Sequence, residues 1–321
     1  MLPDAARPER GRFVRDQVAA LRARGDVEVE LHEFAPGPAA LARAALELPR
    51  RYGARLPGRR PQRPFDVVHA HFSLTAWPAL ALPARVRALT VHGTDVRHPR
   101  TRVATAAVLP LVELLGVASA QLAQELPGRA ARRRALVLPC GVDLARFAPL
   151  PRAHARSELG LDAAGSCLLF AADPARAEKR HDLALALARA AGVRLLTLGG
   201  VEPERVPLWI NAANAVLVPS DREGFGLAVL EALACDVPVL ATPVGVHREA
   251  LDGVAGTLCA PFELARWRAA LEPHLREADP RIEGRASASR FSAAEMAARV
   301  ADAWREALRA SSRRARRLPS P

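Results

Sequence analysis

The chain has 321 residues, half of them apolar, and carries 46 Lys+Arg against 34 Asp+Glu for a net charge of +12. That length suits two domains of about 150 residues, each with its own core. No uncharged apolar run reaches the roughly 18 residues of a membrane span; the apolar stretch 75–91 is cut by Pro78, Pro83, Arg85 and Arg87.

Taken in chain order, strand-like runs alternate with helical patterns, the signature of a parallel α/β architecture. The first ten residues hold Asp4, Arg7, Glu9 and Arg10 and no apolar core, unlike a secretory leader. Residues 11–24 predict a helix with Phe13, Val14, Val18 and Leu21 on one side, and 27–34 a strand. Short buried strands are expected at 65–70, 88–91 and 136–138, and Pro149 and Pro151 mark a linker. Beyond it, apolar strands at 167–171, 193–198, 215–218 and 237–241 are separated by helices at 182–191, 206–211 and 226–234. Residues 291–310 predict an amphipathic helix with Met296, Val300, Trp304 and Leu308 at helical spacing. The tail 311–321, rich in Pro, Ser and Arg, is expected to lack structure.

Charge and cysteines bound the partners. Residues 1–150 carry 23 Arg against 13 Asp+Glu, an excess of 10; the remainder carries 23 Lys+Arg against 21, an excess of 2. A basic first half suits an anionic partner, either a phosphorylated compound or an anionic membrane surface, although solvated surface arginines give the same count. Nucleic acid is disfavoured, because aromatic residues make up only 4% and no basic stripe interleaved with aromatics occurs. Cys140, Cys167, Cys235 and Cys259 are far apart without a Cys-x-x-Cys pair, which argues against zinc and disulfides and for a cytoplasmic protein.

The most informative stretch is 218–242. A strand ends at Pro219, a polar loop carries Glu223, and Gly224-Phe225-Gly226 opens an apolar helix. Glycines there let backbone N–H groups approach a ligand at the helix N-terminus, where the dipole favours an anion. Glu231 stands among Leu227, Val229, Leu230 and Leu233, where an unpaired carboxylate is costly and sugar hydroxyls are natural partners. A capping Glu plus a surface Glu is the plainer alternative. Lys179 is the one lysine in the chain, and a compact ammonium on a flexible stem does not act as a guanidinium does. His69 and His71 share a face two residues apart on a strand. No third metal ligand is evident, so no metal site is assigned.

The segment EGFGLAVLE (223–231) resembles the Glu-x7-Glu motif of retaining glycosyltransferases of family 4, which have the GT-B fold. Four flanking segments extend the resemblance over most of the chain: VHGTD (91–95), LPCGVDLARFAP (138–149), ADPARAEKRHDLALALA (172–188) and VPLWINAANAVLVPS (206–220). The resemblance implies two Rossmann-like domains facing a central cleft. It places an acceptor-side domain at 1–150, a nucleotide-sugar-binding domain at 151–290, and a helix at 291–310 that crosses back to the first. It implies that Glu223 contacts the donor sugar and Glu231 the nucleotide ribose, that Lys179 binds the diphosphate, and that His92 faces the transferred sugar. Where the family has an Arg five residues before the Lys, this chain has Pro174, and Arg176 is the expected substitute. Gly224, Phe225 and Gly226 complete the donor site.

The expected activity is hexosyl-type transfer from a nucleoside diphosphate sugar to a glycan or lipid-linked acceptor, with retention of configuration and no metal or other cofactor. Peripheral contact with an anionic membrane at its inner face is a further expectation. The alternative is a catalytically inactive relative that binds a sugar nucleotide. The family opens with a buried strand and a Gly-containing loop, whereas here only MLPDAAR precedes the first helical pattern, so the first domain is expected to lack its first strand. A sugar-nucleotide epimerase of similar architecture has no motif in its favour.

Overall fold

The structure, a computed structural model, describes residues 11–35, 37–53 and 65–317. The chain forms two compact units: Gly11–Pro139 together with residues from Met296 onward, and Cys140–Glu295. The division falls at Pro139, not in the Pro149/Pro151 linker expected from sequence. The cause is hydrogen bonding: Asn211 Nδ2 donates to the Ala148 carbonyl, Leu150 N donates to Asn211 Oδ1, and Arg285 donates to the carbonyls of Leu144 and Phe147. Residues 140–150 are thereby sewn into the second unit.

The first unit holds a parallel sheet in the order β1 (Phe65–His71), β2 (Ala84–Val91), β3 (Leu114–Val117), β4 (Leu136–Val137). In β3, Gly116 is required by close approach, because a Cβ there would lie 2.7 Å from Thr90 Oγ1 and 2.8 Å from Leu138 Cδ1. The strand expected at 27–34 does not form. Val27 and Val29 pack against the cluster of Leu21, Ala297, Val300 and Ala301, so their apolar side chains are covered, but no strand lies alongside to share a ladder. Among the described residues the sheet has four strands, with β1 at one edge. The helix Ala293–Arg317 supplies Ala303, Trp304 and Leu308 to a cluster with Val86, Leu114 and Leu138. Residues 311–317, expected to be without structure, continue this helix, and the rest of the tail lies outside the described residues.

The second unit holds a five-stranded parallel sheet. Its strands are β5 (Cys167–Phe170), β6 (Arg194–Thr197), β7 (Ala215–Val218), β8 (Val239–Ala241) and β9 (Leu258–Cys259), in the order β6-β5-β7-β8-β9. Leu168, Phe170, Leu217 and Leu240 form its core with Ala184 and Leu187 from one helix and Trp267 and Leu271 from another. The chain runs from β5 outward to β6, then returns to pair β7 against the other side of β5. Strand order therefore reverses between β5 and β7. In an open parallel sheet, the crevice beyond the carboxyl ends of two such strands is where ligands bind. Among the described residues no helix is long and apolar enough to cross a membrane.

Candidate functional site

The two loops at this reversal point carry the residues singled out by sequence. Lys179 follows β5 and Glu223 follows β7, 44 residues later, and Lys179 Nζ lies 2.7 Å from both carboxylate oxygens of Glu223. Ser220 Oγ donates to Glu223 Oε1 at 2.8 Å. The pair is nearly enclosed, with side-chain exposures of 13% for Lys179 and 9% for Glu223. Burial alone pushes the Glu223 carboxyl up, but the charge of Lys179, the imidazole of His247 and the hydrogen bonds from Lys179 and Ser220 outweigh it and hold the group below its ordinary value. The loops are tied together further by Asp221 N donating to the Glu178 carbonyl and by an ion pair between Arg180 and Asp221. Arg180 has φ 59°, a left-handed backbone that a non-glycine residue adopts at a cost, immediately after Lys179.

Gly226 and Gly245 are required by positive φ and close approach. Gly226 has φ 113° and caps the helix Leu227–Ala234; a Cβ on it would meet His247 Nε2 at 2.5 Å. Gly245 has φ 59°, and a Cβ there would collide with the Phe225 carbonyl oxygen. Val246 N donates to that same carbonyl, while the Phe225 ring is buried beside Phe291. His247 Nδ1 lies 2.7 Å from the Thr242 carbonyl. A carbonyl only accepts, so Nδ1 carries the proton, and Nε2 faces Gly226 with no hydrogen-bond partner among the described residues.

Not every expected residue joins this pair. Arg176 is exposed and paired with Glu178, at 2.9 Å, rather than with Glu223. Glu231 is half-buried on the helix, five residues or roughly 7–8 Å of axis beyond Gly226. Gly224 lies in the loop between Glu223 and Phe225. Ser220 and His247 were not singled out from sequence; the Ser-x-x-Glu spacing at 220–223 is the one local signal that could have found Ser220.

His92 belongs to the first unit, just past the carboxyl end of β2, where it stacks on His71 with ring centroids 5.2 Å apart. His71 in turn stacks on His69 at 4.8 Å, and Phe13 and Phe72 pack against the His92 ring at 4.6 and 4.9 Å. The buried Asp95, the last residue of the VHGTD segment and assigned no role from sequence, accepts from the backbone N–H groups of both His92 and Ser73 and so clamps the loops after β2 and β1. Among the described residues no three His, Cys, Asp or Glu side chains are grouped to hold a metal ion. The four cysteines are free thiols, with Cys140 and Cys235 each pushed up to about 12 by burial.

Residues 155–283 match the family model described as glycosyl transferases group 1. The D-inositol 3-phosphate glycosyltransferase of Thermobispora bispora is 30% identical, over 78% of this chain and 72% of its own length. That of Mycobacterium avium is 32% identical, over 78% and 70%. Against that of Actinosynnema mirum, 32% identical, the chain spans 66% of the relative's length. Among solved structures, sucrose-phosphate synthase from Thermosynechococcus elongatus superposes with a TM-score of 0.66 at 20% identity, covering 93% of each chain. Anabaena HepE in complex with UDP and glucose also gives 0.66, at 16% identity over 92% of this chain and 96% of that one. These structural likenesses concern the fold, a pair of Rossmann-like parallel α/β units of GT-B type. With curated relatives at 30% identity or more over at least 70% of their length, the chain belongs to the group 1 glycosyl transferases.

Proposed function

We propose that this chain transfers a sugar from a nucleoside diphosphate donor to a glycan or lipid-linked acceptor, with retention of configuration. The observation that carries the reading is the enclosed Lys179–Glu223 pair at the carboxyl ends of β5 and β7, where the strand order reverses. The leaving diphosphate gains negative charge as the glycosidic bond breaks. Lys179 has three N–H donors, and Glu223 accounts for two of them, so one remains for a phosphate oxygen. Backbone N–H groups at Gly224–Gly226 supply further preorganised charge stabilisation, which makes a metal unnecessary. Glu223 orients the sugar hydroxyls, Glu231 holds the ribose, and His92 contacts the transferred sugar. Attack on the same face as departure lets a phosphate oxygen take the acceptor proton.

The solved structure of HepE with UDP and glucose supports a nucleotide-sugar donor. The inositol phosphate in the relatives' names and the arginine excess of residues 1–150 both support an anionic acceptor, free or held at an anionic membrane. A binding-only relative is the second reading, favoured by one observation: the charge of Lys179 is already answered by Glu223. A screen of nucleoside diphosphates and their sugars by thermal shift, followed by nucleoside diphosphate release with and without EDTA, tests both. Stabilisation with release that survives EDTA supports transfer. Stabilisation without release favours the binding-only reading, and no stabilisation by any nucleotide contradicts both.

A further inference from the structure

The first unit contains two short hydrogen-bonded relays of side chains, stacked on each other where the His69 ring lies on His71. Each begins at a donor, the Trp304 indole N–H in one and the Gln17 amide nitrogen in the other. The Trp304 indole N–H can only donate, and it lies 3.0 Å from His69 Nδ1. His69 therefore accepts at Nδ1, carries its proton at Nε2, and donates to Thr90 Oγ1 at 2.8 Å. The Gln17 amide nitrogen, likewise a donor only, lies 3.4 Å from His71 Nε2. His71 accordingly carries its proton at Nδ1, which lies 3.0 Å from His92 Nε2. His92 Nε2 must then accept, and the His92 proton resides on Nδ1. Among the described residues the one hydrogen bond of the His92 ring is that at Nε2, and the residue is only partly buried.

Two further features hold this arrangement. Each ring has to stay neutral for each relay to run in one direction, and burial lowers the basicity of His69, His71 and His92 alike. The nearby carboxylate, Asp95, turns its oxygens to the backbone N–H groups of Ser73 and His92, and among the described residues it makes no hydrogen bond to a histidine ring. Phe72 is held at φ 71°, a left-handed backbone costly for an aromatic residue, with its N–H on the Thr90 carbonyl and its ring on His92. Strain of this kind persists only where surrounding structure over-determines it, and it concentrates at functional sites.

We propose that Gln17 and His71 are positioning residues that fix His92 as its Nδ1–H tautomer, so that His92 offers a ligand oxygen an N–H donor and not a basic lone pair. The proposal rests on the reading of His92 as a contact of the transferred sugar: its partner is a sugar hydroxyl acting as acceptor. His92 then orients the sugar and takes no proton during transfer. The polarity of the relay hangs on the Gln17 amide, because a reversed amide would accept from His71 Nε2–H and leave His92 protonated at Nε2.

The test is a long-range 1H–15N correlation spectrum of the full chain labelled with 15N-histidine, which distinguishes the two tautomers of each ring. The expected result is protonation of His92 and His71 at Nδ1 and of His69 at Nε2. His92 protonated at Nε2 overturns the proposal whether or not the protein turns over a donor. In Gln17→Leu, both His92 tautomers should become populated, and kcat/KM for the donor should fall about 3- to 10-fold, the loss of one oriented hydrogen bond, with nucleoside diphosphate affinity unchanged. An unaltered His92 tautomer in a folded Gln17→Leu protein also overturns it. If that variant does not fold, the wild-type spectrum decides alone. Should the spectrum match while no nucleotide sugar is turned over, the tautomer assignment stands and the transferase reading fails.

Discussion

Replacing Lys179 with Met tests the site's electrostatics most sharply. The substitution keeps most of the length and the apolar stem of the side chain but leaves the Glu223 carboxylate, 9% exposed, with Ser220 Oγ as its one side-chain hydrogen-bond donor among the described residues. Breaking a buried pair by removing one partner costs about 3–5 kcal/mol. Since Lys179 retains 13% exposure, the lower end, about 3 kcal/mol, applies. For a unit of this size each kcal/mol shifts Tm by roughly 2–4 °C, so the melting transition of the second unit should drop by about 6–12 °C. The sign of the pH dependence follows from Glu223, whose pKa is held low in the folded wild type. That stabilisation is present above the carboxyl's unfolded pKa and is lost as pH falls through the folded value. Without Lys179, burial raises the carboxyl instead, so the variant should suffer most at pH 8 and recover relative to wild type toward pH 5. Adding Glu223→Gln should restore much of the loss, and urea unfolding of the four proteins in a double-mutant cycle measures the coupling. A cost under about 1 kcal/mol at pH 8, equal at pH 5 and additive with Glu223→Gln, would refute the reasoning.

Three other outcomes are expected. Gly226→Ala should destabilise the second unit by about 1–3 kcal/mol and weaken nucleotide binding, since alanine strains φ 113° and its Cβ would meet the His247 ring, as thermal melting and calorimetry would register. Asp95→Asn should cost the first unit about 1.5–3 kcal/mol in denaturant unfolding, because a charged acceptor for two backbone N–H groups becomes an amide whose NH2 opposes one of them. The buried histidines should make the first unit acid-sensitive: burial holds His71 at about 4 against 6.5 when exposed, so stability is full above pH 6.5 and falls as pH drops toward 4, by up to about 1.4 kcal/mol per pH unit. Urea midpoints at pH 7 and pH 5 check this, and His71→Phe should flatten the slope.

The second unit was legible because each strand is an apolar run closed by turn residues; β7 matches the expected 215–218 to the residue. The first unit was harder. β3 is four residues inside the mostly apolar stretch 108–118, interrupted by Pro110 and Glu113, where no periodicity separates strand from helix. The alternation at 27–34 fits a strand, yet a ladder needs a neighbour that local pattern cannot supply. At the site, sequence pointed to Lys179 and Glu223 separately, by chemistry and resemblance. That they grip each other across 44 residues follows only from the pairing of β5 with β7. Asp95 and His247 were assigned no role because their partners, backbone N–H groups and a carbonyl, leave no mark in side-chain patterns.

The central claim, that the loops after β5 and β7 bind the nucleoside diphosphate end of a donor, is tested most directly by calorimetric titration of UDP, GDP and ADP into wild type, Glu231→Ala and Lys179→Met at one pH and salt concentration. One nucleotide should bind wild type, and Glu231→Ala should lose about 1.5–3 kcal/mol of that binding, through the ribose. Lys179→Met should weaken the diphosphate more than the corresponding nucleoside. Affinity equal in all three proteins, or none for any nucleotide in wild type, would contradict the central claim.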